Sequence, residues 1–163
     1  MKLRIGNTVL ENNVILAPMA GVTDAAYRIM CCRRGAEMAY TEMVSVAGLS
    51  YKSAKTWVLV EPEPEEPQIC VQLFGTKPEQ FAFAVNAVQE RVGDKLTLID
   101  INMACPARKV ITKGEGSALM KEPELAASLV EACVREARVP VTVKIRRGFA
   151  AGENTAAEFA ARM

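Results

Sequence analysis

Histidine is absent from all 163 residues of this chain. That removes the commonest general base. Five cysteines are present, Cys31, Cys32, Cys70, Cys105 and Cys133, but no two stand as Cys-x-x-Cys, so a zinc site is not expected. Their odd number and scatter fit reduced thiols in the cytosol. An excess of one charge is missing too: 20 lysines and arginines face 19 acids. No global field then exists to capture nucleic acid or an acidic membrane, and any site for a polyanion must be local. No apolar run approaches membrane-spanning length, and nothing long and apolar follows the charges of Met1–Asn7, so no membrane partner or export is expected. A Gly-x-Gly-x-x-Gly after the first buried strand is lacking as well, which weighs against a dinucleotide-binding domain.

Half of the residues are hydrophobic, enough for one ordinary core. Leu3–Ile5 and Thr8–Leu10 flank Gly6-Asn7 and predict a tight hairpin that could plug the bottom of a larger structure. Val14–Ala17 predicts a short strand. Thr23 or Asp24 can cap a helix running to about Arg34, with Gly35 as its left-handed stop. Met38–Thr41 predicts a strand, and about Ser45 to Val60 a weaker helical region. Glu61–Pro67 holds three prolines and four carboxylates and predicts a solvated connection. Ile69–Phe74, Leu96–Asn102 and Val141–Ile145 predict three further strands. Helices are predicted over Lys77–Arg91, with Phe81, Ala84, Val85 and Val88 on its core face, and over Pro123–Arg135, buried through Leu125, Leu129, Ala132 and Cys133. Another starts at Thr155.

Short apolar strands alternating with helices mean a parallel sheet with right-handed crossovers. The expected class is α/β: a partial (β/α)8 TIM barrel of about five βα units behind an N-terminal hairpin. A complete barrel needs eight strands and roughly 250 residues. Residues 1–163 are therefore expected to be the N-terminal part of such a domain.

Chemistry in such folds gathers where strands end. Four strand ends here carry unusual residues. Ala17-Pro18-Met19-Ala20-Gly21 serves either as a tight turn or as small backbone that a flat ring can approach, with Met19 as a polarizable surface. Gln72 carries an amide that a neighbour or a ligand must satisfy. Cys105 follows Asn102 by three residues and precedes Pro106, so its thiol should face the mouth of the sheet, whereas the other four cysteines read as small buried hydrophobes. With no histidine to activate a thiolate, proton donation suits Cys105 better than nucleophilic attack. Lys144 interrupts an apolar strand and needs an anionic partner. Arg146 follows on the same side. Arg108, Lys109 and Lys113 form a cationic loop, either solvated surface or a local grip on a phosphodiester backbone.

Five blocks together, Ala17–Asp24, Val71–Gly75, Asp100–Pro106, Gly116–Met120 and Val143–Arg146, resemble the tRNA-dihydrouridine synthases of the bacterial branch. The resemblance implies an FMN-dependent reductase on a (β/α)8 barrel, with a helical domain that helps to hold tRNA and NADPH to recharge the flavin. Its reaction saturates the C5=C6 bond of particular uridines. By that resemblance Pro18, Met19 and Ala20 line the flavin, Gln72 hydrogen-bonds its ring and Lys144 sits at its pyrimidine end. Cys105 is the acid, and Asn102 and Arg146 contact the uridine. The family usually has glycine where this chain has Ala104. Its later barrel strands and its helical tRNA-binding domain have no counterpart in residues 1–163. Two other readings stand beside this one: another FMN barrel acting on a free pyrimidine, and a non-catalytic half-barrel that associates with itself.

Overall fold

The computed structural model describes residues 2–163. A hairpin of β1 (Leu3–Ile5) and β2 (Thr8–Leu10) precedes β3 (Ile15–Leu16), α1 (Ala25–Arg33) and β4 (Met38–Ser45). Two short helices follow, α2 (Val46–Ser50) and α3 (Ala54–Trp57), and then a 3-10 turn at Val58–Val60. Next come β5 (Ile69–Phe74), α4 (Pro78–Val92), β6 (Leu96–Met103), the single-turn α5 (Arg108–Ile111) and a 3-10 segment at Gly116–Lys121. The chain continues through α6 (Pro123–Glu136), β7 (Val141–Ile145) and α7 (Ala156–Arg162). Strands β3 to β7 form one parallel sheet in chain order, and β1 and β2 pair antiparallel. This is the expected α/β architecture, a parallel partial barrel with a hairpin.

The two faces of the sheet are sorted by strand alternation. Val71 and Leu73 of β5 and Ile99, Ile101 and Met103 of β6 point outward, where the core-facing stripes of α4 and α6 cover them. Proline occupies the first turn of each of these helices, where its missing N–H costs nothing. On the inner face, Met38, Cys70 and Leu98 form an apolar floor against Leu10, with Leu3 and Ile5 packed beside it. The hairpin thus plugs the bottom, as the sequence suggested. Above that floor the inner face turns polar.

Several local expectations are corrected. Strand β4 runs to Ser45, four residues beyond the predicted end, and a bulge between Tyr40 and Met43 shifts its register against β5. The helical region from Ser45 breaks into pieces, because Ser45 caps α2 and Lys52 then adopts φ 55°. Cys31 and Cys32 are half-buried rather than buried. Leu125 is likewise half-buried. The connection at 61–67 is not wholly solvated: Glu66 is 3% exposed and holds the buried Arg28 through two hydrogen bonds of 2.7 and 3.0 Å. Composition hid this, since one carboxylate among four had an arginine waiting on α1.

Candidate active site

The C-terminal ends of the strands form a mouth, and each element brings one part to it. After β3, Thr23 locks the turn that carries Pro18, Met19 and Ala20: its hydroxyl accepts from the Met19 N–H at 3.1 Å and donates to the Met19 carbonyl at 3.2 Å. Arg28 donates to the Thr23 carbonyl at 2.9 Å, so the Arg28–Glu66 pair anchors this turn from behind. Met19 and Ala20 are exposed and Pro18 is half-buried. They are available to a ligand.

Beneath the mouth lies a polar layer on the inner face. Gln72 pairs in register with Asp100, and Asp100 with Thr142. The Asp100 carboxylate accepts from Gln72 Nε2 at 2.6 Å and from the Thr142 hydroxyl at 2.6 Å. Gln72 Oε1 accepts from Asn102 Nδ2 at 2.7 Å. Asn102 Oδ1 in turn accepts the backbone N–H groups of Ala104 at 3.2 Å and Cys105 at 3.0 Å. Burial pushes the Asp100 carboxyl up to about 6, while the bonds from Gln72 and Thr142 and the charge of Lys144 act the other way. Burial and the neighbouring Asp100 carboxylate also push the Tyr40 phenol well above its ordinary value.

Gln72 and Asn102 are buried, Gln72 completely. The open question at Gln72 is therefore answered by a neighbour: in this arrangement its amide serves Asp100 and Asn102. Cys105 stands above them, half-buried, where β6 gives way to the loop. Its carbonyl accepts from the Ser117 N–H at 3.0 Å, which ties the loop to the 3-10 segment. Gly116 makes that approach possible, because a Cβ there would meet the Cys105 carbonyl at 2.8 Å.

Lys144 lies on β7, which pairs with β6 among the described strands, and its side chain is exposed on the inner face beside Asn102. It forms no ion pair among the described residues. Arg146, also exposed, donates to the Ala104 carbonyl at 3.3 Å. Both arginine and lysine border an open pocket of about 440 Å³ that reaches Ala104. Arg108, Lys109 and Lys113 are exposed on the adjoining segment.

The mouth thus combines a half-buried thiol, an apolar turn and unpaired cations, with no group of three metal-ligating side chains among the described residues. The family model described as "Dihydrouridine synthase (Dus)" matches residues 15–163. This chain belongs to the dihydrouridine synthase family. It is 43% identical over 147 residues to tRNA-dihydrouridine synthase B of Vibrio cholerae, a match covering 90% of this chain and 45% of that protein. It is 38% identical over 162 residues to probable tRNA-dihydrouridine synthase 1 of Synechocystis, covering 99% and 44%. A probable tRNA-dihydrouridine synthase of Rickettsia prowazekii is 40% identical over 148 residues, covering 90% and 44%. The chain spans a little under half the length of these relatives.

In this dihydrouridine synthase chain the sequence pointed to Gln72 and Asn102 of the polar layer as well as to the rim residues, but not to Asp100 and Thr142, which join that layer. Asp100 was legible only as one acid in an otherwise apolar run, and no role was assigned to it. Thr142 and the Arg28–Glu66 pair left no local signal, because their partners come from distant elements, while Thr23 was legible as a cap candidate but not as the lock on Met19, four residues before it.

Proposed function

We propose that the protein reduces the C5=C6 bond of uridine in tRNA to dihydrouridine, with FMN as cofactor and NADPH as reductant, and that residues 1–163 form the N-terminal part of its catalytic barrel. The single observation that carries this reading is the placement of Cys105 at the mouth of a dihydrouridine synthase barrel, held by Asn102 beside two exposed cations. The donor set suits FMN: Pro18, Met19 and Ala20 offer a small apolar surface for the ring, and Lys144 is an uncommitted cation for its electron-rich end. Gln72 contributes from beneath, through Asn102. When bound, FMN supplies the hydride for C6 of the uracil.

The chain's own residues then account for the rest. Cys105 gives the proton of its Sγ–H to C5 from the opposite face, so hydride and proton together complete the saturation. Asn102 has one Nδ2 hydrogen beyond its bond to Gln72, and with the Arg146 guanidinium it contacts the uridine, which must leave its stack to reach the mouth. Arg108, Lys109 and Lys113 meet the phosphodiester backbone of the tRNA. Five free cysteines suit a reducing cytoplasm, where the enzyme would meet tRNA.

The test is Cys105→Ala in the intact enzyme. The variant should bind FMN and accept electrons from NADPH as before, yet reoxidation of the flavin by unmodified tRNA should slow by about 10²–10⁴-fold, the range of general acid catalysis. An unchanged reoxidation rate removes Cys105 as the acid. Equal reoxidation by free uracil and by tRNA would instead favour a pyrimidine reductase of another kind.

A further inference from the structure

The hydrogen bonds below Cys105 have a direction, and one residue sets it. We propose that Asp100 is a positioning residue whose carboxylate orients the side-chain amides of Gln72 and Asn102 in turn, and so fixes the loop that presents the Cys105 thiol. The inference rests on the reading of Cys105 as the acid.

An ionised carboxylate only accepts hydrogen bonds. Gln72 must therefore turn its Nε2 toward Asp100, at 2.6 Å, which leaves Oε1 facing Asn102. Asn102 must then turn its Nδ2 toward Gln72, at 2.7 Å, which leaves Oδ1 facing the loop. Only that orientation offers an acceptor to the N–H groups of Ala104 and Cys105. Flipping either amide would set donor against donor at one end of the chain and acceptor against acceptor at the other.

An amide has nearly the same shape either way round, so packing alone does not choose between the two orientations. Nor can water repair the wrong choice, since Asp100 is 2% exposed, Gln72 0% and Asn102 6%. Thr142 donates to the second oxygen of Asp100 at 2.6 Å, which leaves the other oxygen to Gln72. Although burial raises the carboxyl to about 6, it is mostly ionised at neutral pH. The charge that faces Asp100 across the sheet is Lys144, and the neutral groups nearby are Tyr40 and Cys70.

The test is residue-resolved hydrogen exchange on the intact enzyme by NMR. In the unmodified chain the backbone N–H of Cys105, the Gln72 Nε2 hydrogen given to Asp100 and the Asn102 Nδ2 hydrogen given to Gln72 should exchange slowly. In Asp100→Asn, whose side chain can present either group to Gln72, exchange at Ala104 and Cys105 should rise at least tenfold while Ile99 and Ile101 stay protected. Adding Gln72→Glu should restore protection, because the acceptor-only group then lies one step along and still obliges Asn102 to turn Nδ2 inward.

Unchanged exchange at Ala104 and Cys105 in Asp100→Asn overturns the proposal. So does a double variant that is no better protected than the single one. Should Asp100→Asn fail to fold, the unmodified chain decides: fast exchange of the two bonded hydrogens, Gln72 Nε2–H to Asp100 and Asn102 Nδ2–H to Gln72, overturns the proposal, and slow exchange supports it. None of these readouts involves flavin or turnover. A failure here therefore leaves the acid assignment standing, and a failure of Cys105→Ala leaves the orienting chain standing.

Discussion

Asp100 carries a cost that its neighbours on β6 avoid. A carboxyl moved by burial from its ordinary 3.8 to about 6 disfavours the charged folded state by about 3 kcal/mol. The sign follows from linkage: the folded chain binds this proton more tightly than the unfolded chain does. The contribution to stability is therefore fully present below about pH 4 and is lost as pH rises through about 6. Urea unfolding from pH 4 to 7 should show the unmodified chain losing about 3 kcal/mol relative to Asp100→Asn across that span. Parallel pH profiles for the two would mean that Asp100 is not held at a raised value. A residue kept at such a cost within an apolar strand is a candidate for function, and its contacts point toward Cys105.

Elements reach the site through two ties between loops. The first is Arg28 on α1, which joins Glu66 of the connecting segment to the turn bearing Met19. Both side chains are almost wholly buried, so Glu66→Gln would leave an arginine charge without its partner. It should cost about 3–5 kcal/mol, measured as a lowered urea midpoint with unchanged slope. A loss under 1 kcal/mol would show that solvent reaches Arg28. The second tie is the contact of Gly116 with the Cys105 loop. Its φ of +61° and a would-be Cβ at 2.8–3.0 Å from the Cys105 carbonyl, Val110 and the Cys105 Cβ leave no room for alanine. Gly116→Ala should destabilise the chain by about 1–3 kcal/mol and speed alkylation of Cys105 relative to Cys31. Equal stability and equal labelling would mean the loop moves aside freely.

At the scale of the molecule, five parallel strands leave β3 and β7 as the outer strands of the sheet. Strand β7 keeps Val141, Val143 and Ile145 only half-buried. An unpaired edge of this kind is a template for another strand. The 163-residue chain by itself is therefore expected to self-associate through that edge. Light scattering should report particles larger than one chain at micromolar concentration, and a stable monomer would contradict the expectation.

Much of this architecture is written locally. The hairpin around Gly6-Asn7, the strands at 69–74 and 141–145 and the helices opened by Pro78 and Pro123 follow from turn chemistry, strand alternation and helical periodicity, which act over a few residues. The rim residues Met19, Cys105 and Arg146 were legible for the same reason, since a polar or reactive side chain just past an apolar strand is visible in one dimension. Three things needed the third dimension. Glu66 became buried because α1 brought Arg28 to it, Lys144 came to stand beside Asn102 because β7 pairs in register with β6, and Asp100, Gln72 and Asn102 became one directed chain of hydrogen bonds because parallel pairing put them side by side. Each depends on contacts between residues about 30 or more apart, and no local pattern encodes which distant partner will satisfy a buried charge or amide.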